Sequence, residues 1–139
     1  MTPHRCLIVD DHDQLRNLLC EWLKVIFPTV EFISASSGET ALELVELHRP
    51  EVVLMDISLP GLNGVEATQR IKQHWPQTFV IIHTIHDDQA YHEHASLAGA
   101  DVYISKSKTQ AELVPALLKV FSIANDGEAA NEDVVRKVQ

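Results

Sequence analysis

The segment EVVLMDISLPGLNGVEATQRIKQHWPQTFVIIHT, residues 51–84, decides the fold. It holds two short apolar runs, Val52–Asp56 and Phe79–His83, each read as a strand. Between them Pro60-Gly61 supplies a tight turn, and Gly64–His74 has a helical pattern that stops before Pro76. Neither run alternates apolar with polar residues, so each suits a parallel strand covered on both faces. Strand, helix and parallel strand make one right-handed crossover unit.

The same alternation extends in both directions. Further strands are read at Cys6–Asp10, Val30–Ser34 and Val102–Ile104. The Val30–Ser34 run alternates more than the others, which suits an edge position. Leu15, Leu18, Leu19, Trp22, Leu23 and Ile26 form one apolar helical stripe, and Leu113, Ala116, Leu117, Val120 and Phe121 repeat the spacing. Further helices are read at Gly38–His48 and Asp88–Ala98, with Gly99 in the usual position just past a helix end. Pro28, Pro50 and Pro76 each separate a helix from the next strand. The expected fold is α/β: a flavodoxin-like, doubly wound, five-stranded parallel sheet in the order 2-1-3-4-5, with five helices. The domain is expected over residues 1–121, with a polar tail or linker over residues 122–139.

With 139 residues the chain suits a single domain, and 45% apolar against 22% charged residues suits a globular one. No apolar run approaches the roughly 18 residues of a membrane span. The N-terminus lacks a signal-peptide pattern, so a cytoplasmic setting is expected, with Cys6 and Cys20 as buried free thiols. The net charge of −9 argues against direct nucleic-acid binding by this domain.

In a sheet of this order, ligands bind beyond the carboxyl ends of the strands, at the switch point between strands 1 and 3. Strand 1 ends in Asp10-Asp11 and strand 3 in Asp56. Like charges about 4 Å apart repel by roughly 4 kcal/mol at an effective dielectric of 20, so such a cluster calls for a proton or a cation. Hard oxygen ligands with room for water describe a magnesium site. Strand-end acids are often only solvated turn residues, but a pair plus a third at a switch point favours the site. Strand 4 delivers Thr84 to the same edge and strand 5 delivers Lys106. A hydroxyl and a fixed cation facing an acid cluster are the equipment for gripping a phosphoryl group.

The segments LIVDDH (7–12), VVLMDISLPGLNG (52–64), VIIHT (80–84) and AGADVYISKS (98–107) resemble the response-regulator receiver family of two-component systems. The pattern is most like receivers attached to a helix-turn-helix DNA-binding domain. The resemblance implies a signalling switch that catalyses only its own phosphorylation and dephosphorylation. Its phosphoacceptor would be Asp56, taking the group from a sensor histidine kinase or phosphotransfer protein. It implies that Asp11, Asp56 and the backbone carbonyl of Ser58 ligate Mg2+, with Asp10 positioning the ion. It implies that Lys106 and Thr84 bind phosphoryl oxygens, and that Tyr103 turns inward as Thr84 moves, switching the face made by helix 4, strand 5 and helix 5. Ser58 and His86 would tune dephosphorylation. A homodimer formed on phosphorylation is a further expectation, through an interface that periodicity does not assign. The chain departs from many receivers in having Ser107, and no proline, after the lysine.

Other readings fit less well. No GxxxxGK or GxGxxG motif occurs, and DDHDQ is the electrostatic opposite of a flavodoxin phosphate loop. A small aspartyl phosphatase would place a second acid two residues after its nucleophile. Only Asp11 has one, at Asp13. A receiver-like module that is never phosphorylated would usually lack one of these acids or the lysine. Among the eight histidines, His83, His86, His92 and His94 lack the i, i+4 spacing of a zinc site, and His12 reads as the opening of helix 1.

Overall fold

A computed structural model describes residues 4–125. The elements run β1 (Arg5–Val9), α1 (Asp13–Ile26), β2 (Glu31–Ala35), α2 (Gly38–His48), β3 (Val52–Met55), α3 (Gly64–His74), β4 (Phe79–Thr84), α4 (Gln89–Leu97), β5 (Val102–Ser105) and α5 (Thr109–Asn125). A single 3-10 turn, Lys106–Lys108, joins β5 to α5. All strand pairs are parallel, in the order β2-β1-β3-β4-β5.

Strand alternation divides the core into two layers. Cys6, Ile8, Phe32, Leu54, Ile81 and Ile104 face α1 and α5, where they meet Leu19, Leu23, Leu113, Leu117 and Phe121. Leu7, Val9, Val53, Met55, Val80 and Ile82 face the other way, against Ala41, Val45, Ala67, Ile71 and Ala95 of α2, α3 and α4. Covering on both faces is why these strands read as unbroken apolar runs.

The helix ends are fixed by side chains. His12, Ser37 and Asn63 cap α1, α2 and α3, their side chains accepting the N–H groups of Leu15, Thr40 and Glu66. Gly99 has φ +100° and follows the C-cap of α4, the conformation that its missing Cβ allows.

Several boundaries differ from the sequence reading. Strand 1 begins one residue earlier and strand 2 one later than expected, while β1 and β3 stop just short of Asp10 and Asp56. The ladder nonetheless continues for one bond past each strand, Asp10 N–H donating to Ala35 and Asp56 N–H to Val9. The backbone is thus held while each carboxylate turns away from the sheet. The alternation read in the second strand breaks at its end, where Ser34 is exposed and Ala35 buried. Helix 4 is one residue shorter at each end than expected. In the α1 stripe, Leu18 is 62% exposed although it shares the helical period of its neighbours. Cys6 is a buried free thiol as expected, but Cys20 is only half-buried. Helix α5 continues past residue 121 to Asn125, and the rest of the expected tail, residues 126–139, lies outside the described residues. Pro115 sits inside α5, on its solvent side, where water can take the carbonyl that its missing N–H leaves unpaired.

Candidate functional site

The three acids meet at the carboxyl edge of β1 and β3. Asp10, Asp11 and Asp56 each offer a ligand atom, all within 4.8 Å of one another. Asp10 and Asp56 are buried, 2% and 4% exposed, while Asp11 faces solvent. Asp10 and Asp56 are held alike. One oxygen of each accepts the backbone N–H two residues on, His12 at 2.9 Å and Ser58 at 3.1 Å. The other oxygen of each accepts Lys106 Nζ at 2.9 Å.

Burial works against the Lys106 ammonium, but its bonds to Asp10 and Asp56 outweigh that and hold its pKa above the ordinary lysine value. Three carboxylates against one ammonium leave a local charge of −2 in a partly buried pocket. That excess negative charge, offered by hard oxygen donors with one carboxylate open to water, is a set a divalent cation fits.

Thr84, the last residue of β4, is fully buried, and its Oγ1 accepts His86 N–H at 3.4 Å. The loop that follows is tied down by Tyr103, whose hydroxyl donates to the His86 carbonyl at 2.6 Å. The Tyr103 ring stacks on His92 with centroids 3.7 Å apart, and burial, reinforced by Asp87, pushes its phenol up to about 12. Ser58 Oγ and His86 Nε2 lie 2.6 Å apart and join the loop after Asp56 to the loop after Thr84.

Asp10, Asp11, Asp56, Ser58, Thr84, His86 and Lys106 therefore lie at or just past the carboxyl ends of their strands, while Tyr103 starts inside β5, paired with Ile82, and reaches the loop after Thr84 through its hydroxyl. Two partners were absent from that set. Arg16 donates to the Asp10 carbonyl at 2.7 Å and pairs with Asp13 at 2.8 Å, fastening the start of α1 to the acid loop. Its i, i+3 spacing from Asp13 was the available signal. His83 binds Thr109, 26 residues away, at 2.8 Å, and no local pattern indicates that contact. His12 caps α1, as its position suggested.

Residues 6–118 match the family model of the response regulator receiver domain. The chain belongs to that family. Its relatives include the transcriptional regulatory protein DegU of Brevibacillus brevis, 39% identical over 115 residues that make 80% of this chain and 47% of DegU. The response regulator GacA of Pseudomonas viridiflava is 35% identical over 118 residues, 85% of this chain and 55% of GacA. The chain thus spans about half the length of the curated relatives it matches. A LuxR-family two-component response regulator from Aurantimonas superposes with a TM-score of 0.79 at 32% identity, covering 87% of this chain and 86% of that one. A LuxR-family DNA-binding response regulator from Staphylococcus aureus gives 0.78 at 30% identity, covering 84% and 98%. Among the described residues, no helix is long and apolar enough to cross a membrane.

Proposed function

We propose that this receiver domain is a phosphoacceptor switch in which Asp56 takes a phosphoryl group from a phosphohistidine on a sensor histidine kinase or phosphotransfer protein. The observation that carries this reading is the single ammonium of Lys106 bridging Asp10 and Asp56, with Asp11 beside them. An Asp56 oxygen attacks phosphorus, forming an O–P bond. The P–N bond breaks, and its electron pair returns to the donor imidazole. Asp11, Asp56 and the Ser58 carbonyl would hold Mg2+, with Asp10 behind them. A bound Mg2+ would supply charge neutralisation at the phosphoryl oxygens. Lys106 orients one phosphoryl oxygen and Thr84 another.

Movement of Thr84 toward the phosphoryl group would pull the His86 N–H bonded to it, and with it the loop that Tyr103 holds by the His86 carbonyl. The strain then reaches α4 and β5, the face read by partners or by a second copy of the chain. The output is transcriptional control through a DNA-binding domain outside residues 1–139. The names of the relatives and the half-length match support this. The setting is cytoplasmic, and the domain itself does not bind nucleic acid.

The direct test is the intact mass after incubation with acetyl phosphate, with and without Mg2+. One phosphoryl group gained only with Mg2+ is the expected result. No gain in a folded chain that also fails to bind beryllofluoride would overturn the reading.

Two further outcomes are expected. Lys106→Ala should slow uptake by roughly ten- to a hundredfold, since hydrogen bonds to charged groups contribute about 1.5–3 kcal/mol. The phosphorylated variant should show none of the amide shifts in α4 and β5 seen in the parent. Full shifts in that variant would remove Lys106 from the switch. His86→Ala breaks the Ser58–His86 contact between the two loops and opens the site to water. The aspartyl phosphate should then hydrolyse about threefold faster, the scale of one neutral hydrogen bond. The rate of phosphoryl loss, followed by mass, checks it.

A further inference from the structure

Lys106 lies beyond the β-ladder, whose last pair is Thr84 with Ser105, so sheet bonds do not place it. Its carbonyl instead accepts two groups from one residue: the backbone N–H of Thr109 and, at 2.7 Å, the Thr109 hydroxyl. That hydroxyl has one proton, and it is used there. The contact between Thr109 Oγ1 and His83 Nε2, at 2.8 Å, must therefore be donated by the imidazole, which fixes the proton on Nε2. His83 is itself anchored in β4, paired with Ile104 and facing the α1–α5 side. An unbroken chain of hydrogen bonds thus runs from the sheet through His83 and Thr109 to the backbone of Lys106, whose ammonium meets Asp10 and Asp56.

His83 is 3% exposed and follows Val80, Ile81 and Ile82 in its strand, and burying an imidazole costs more than burying such aliphatic side chains. Burial, aided by the nearby Lys106 charge, lowers its pKa to about 4, so it remains neutral and adds no second cation beside the lysine.

We infer that His83, acting through Thr109, is a positioning residue that aims Lys106 at the phosphoryl group. This rests on the phosphoacceptor reading above. His83 touches no reacting atom. It holds the 3-10 turn so that a long, flexible lysine stem begins from one fixed point.

The test uses the full chain with four variants: His83→Leu and Thr109→Val, which break the relay, and His83→Gln and Thr109→Ser, which keep a donor and a hydroxyl. Affinity for beryllofluoride at saturating Mg2+, where Lys106 meets the phosphoryl mimic, is compared with affinity for Mg2+ alone, where it does not. The relay-breaking variants should bind beryllofluoride roughly three- to tenfold more weakly, the scale of a lost hydrogen bond. Their Mg2+ affinity should not fall, and the Gln and Ser variants should recover most of the loss. Unchanged beryllofluoride affinity in His83→Leu would overturn the inference alone. An equal fall in both affinities would overturn it too, by showing a general disturbance of the fold. A wild-type chain that binds Mg2+ but neither beryllofluoride nor a phosphoryl group would overturn the phosphoacceptor reading and this inference with it.

Discussion

Asp56→Asn should take up no phosphoryl group from acetyl phosphate or from a phosphorylated kinase, whatever the Mg2+ concentration, while folding as stably as the parent. The loss follows from chemistry, because an amide oxygen is a poor nucleophile and its phosphoryl adduct would not persist. The retained fold follows from geometry. The asparagine Oδ1 can still accept Lys106 Nζ, which Asp56 now meets at 2.9 Å, at the expense of the Ser58 N–H bond that the other carboxylate oxygen accepts, and Asp10 keeps its own bond to the same ammonium. Removing one carboxylate changes the local balance from three acids and one ammonium to two and one, which relieves repulsion among Asp10, Asp11 and Asp56. These effects oppose the small loss of a charge-assisted bond, and the unfolding free energy should change by no more than about 1 kcal/mol. Mg2+ affinity should fall, because a charged oxygen donor has gone. Intact mass reads the first outcome, urea unfolding the second and titration calorimetry the third. Undiminished labelling of the variant would mean that another carboxylate is the acceptor.

The residues that make this outcome foreseeable were legible because each ends a strand. In a parallel sheet, consecutive strand ends lie side by side, so Asp10, Asp56, Thr84 and Lys106 converge however far apart they stand in the chain. The proline-bounded alternation of apolar runs and helical stripes marked a parallel sheet, and five strands fit the flavodoxin-like order 2-1-3-4-5 that the chain has. What was not legible depends on side-chain contacts between segments far apart in the chain. Ser58 and His86 are 28 residues apart, His83 and Thr109 are 26 apart, and nothing periodic relates either pair. Helical period also says which residues share a side, but not how much of that side a neighbour covers. Leu18 belongs to the α1 stripe by spacing, yet it lies mostly in solvent. Strand ends were displaced by a residue for a related reason. At Asp10 and Asp56 the backbone still bonds as strand while the side chain already serves the site, and an apolar pattern registers only the side chain.

Gly64 shows how far such a contact can reach. In the sequence it is only the first residue of a helical pattern, but in the folded chain it is the point where α3 presses on the acceptor loop. Its N–H donates to the Ile57 carbonyl at 3.0 Å. A Cβ there would fall 1.9 Å from the Asp56 carbonyl oxygen, 2.7 Å from the Asp56 carbonyl carbon and 2.8 Å from Ile57 Cα. All three are backbone atoms, so no side chain can swing aside, and either α3 or the 56–58 loop must move. Overpacking a tight site costs typically 1–3 kcal/mol, and a clash with backbone belongs at the upper end. Gly64→Ala should therefore lower the unfolding free energy by about 3 kcal/mol, read from the urea midpoint at unchanged slope. Its effect on function should exceed what stability alone explains. The displaced loop carries both the Asp56 carboxylate and the Ser58 N–H that orients it at 3.1 Å, so phosphoryl uptake should slow even where the variant is fully folded. A core truncation such as Leu117→Ala, buried against the far side of the sheet in the α1–α5 layer, supplies the control. It should cost about 2–5 kcal/mol yet leave uptake by the folded fraction near the parent rate. If both variants slowed uptake in proportion to their loss of stability, Gly64 would be a packing residue only. A loss confined to Gly64→Ala would show that the helix start sets the geometry of the acceptor.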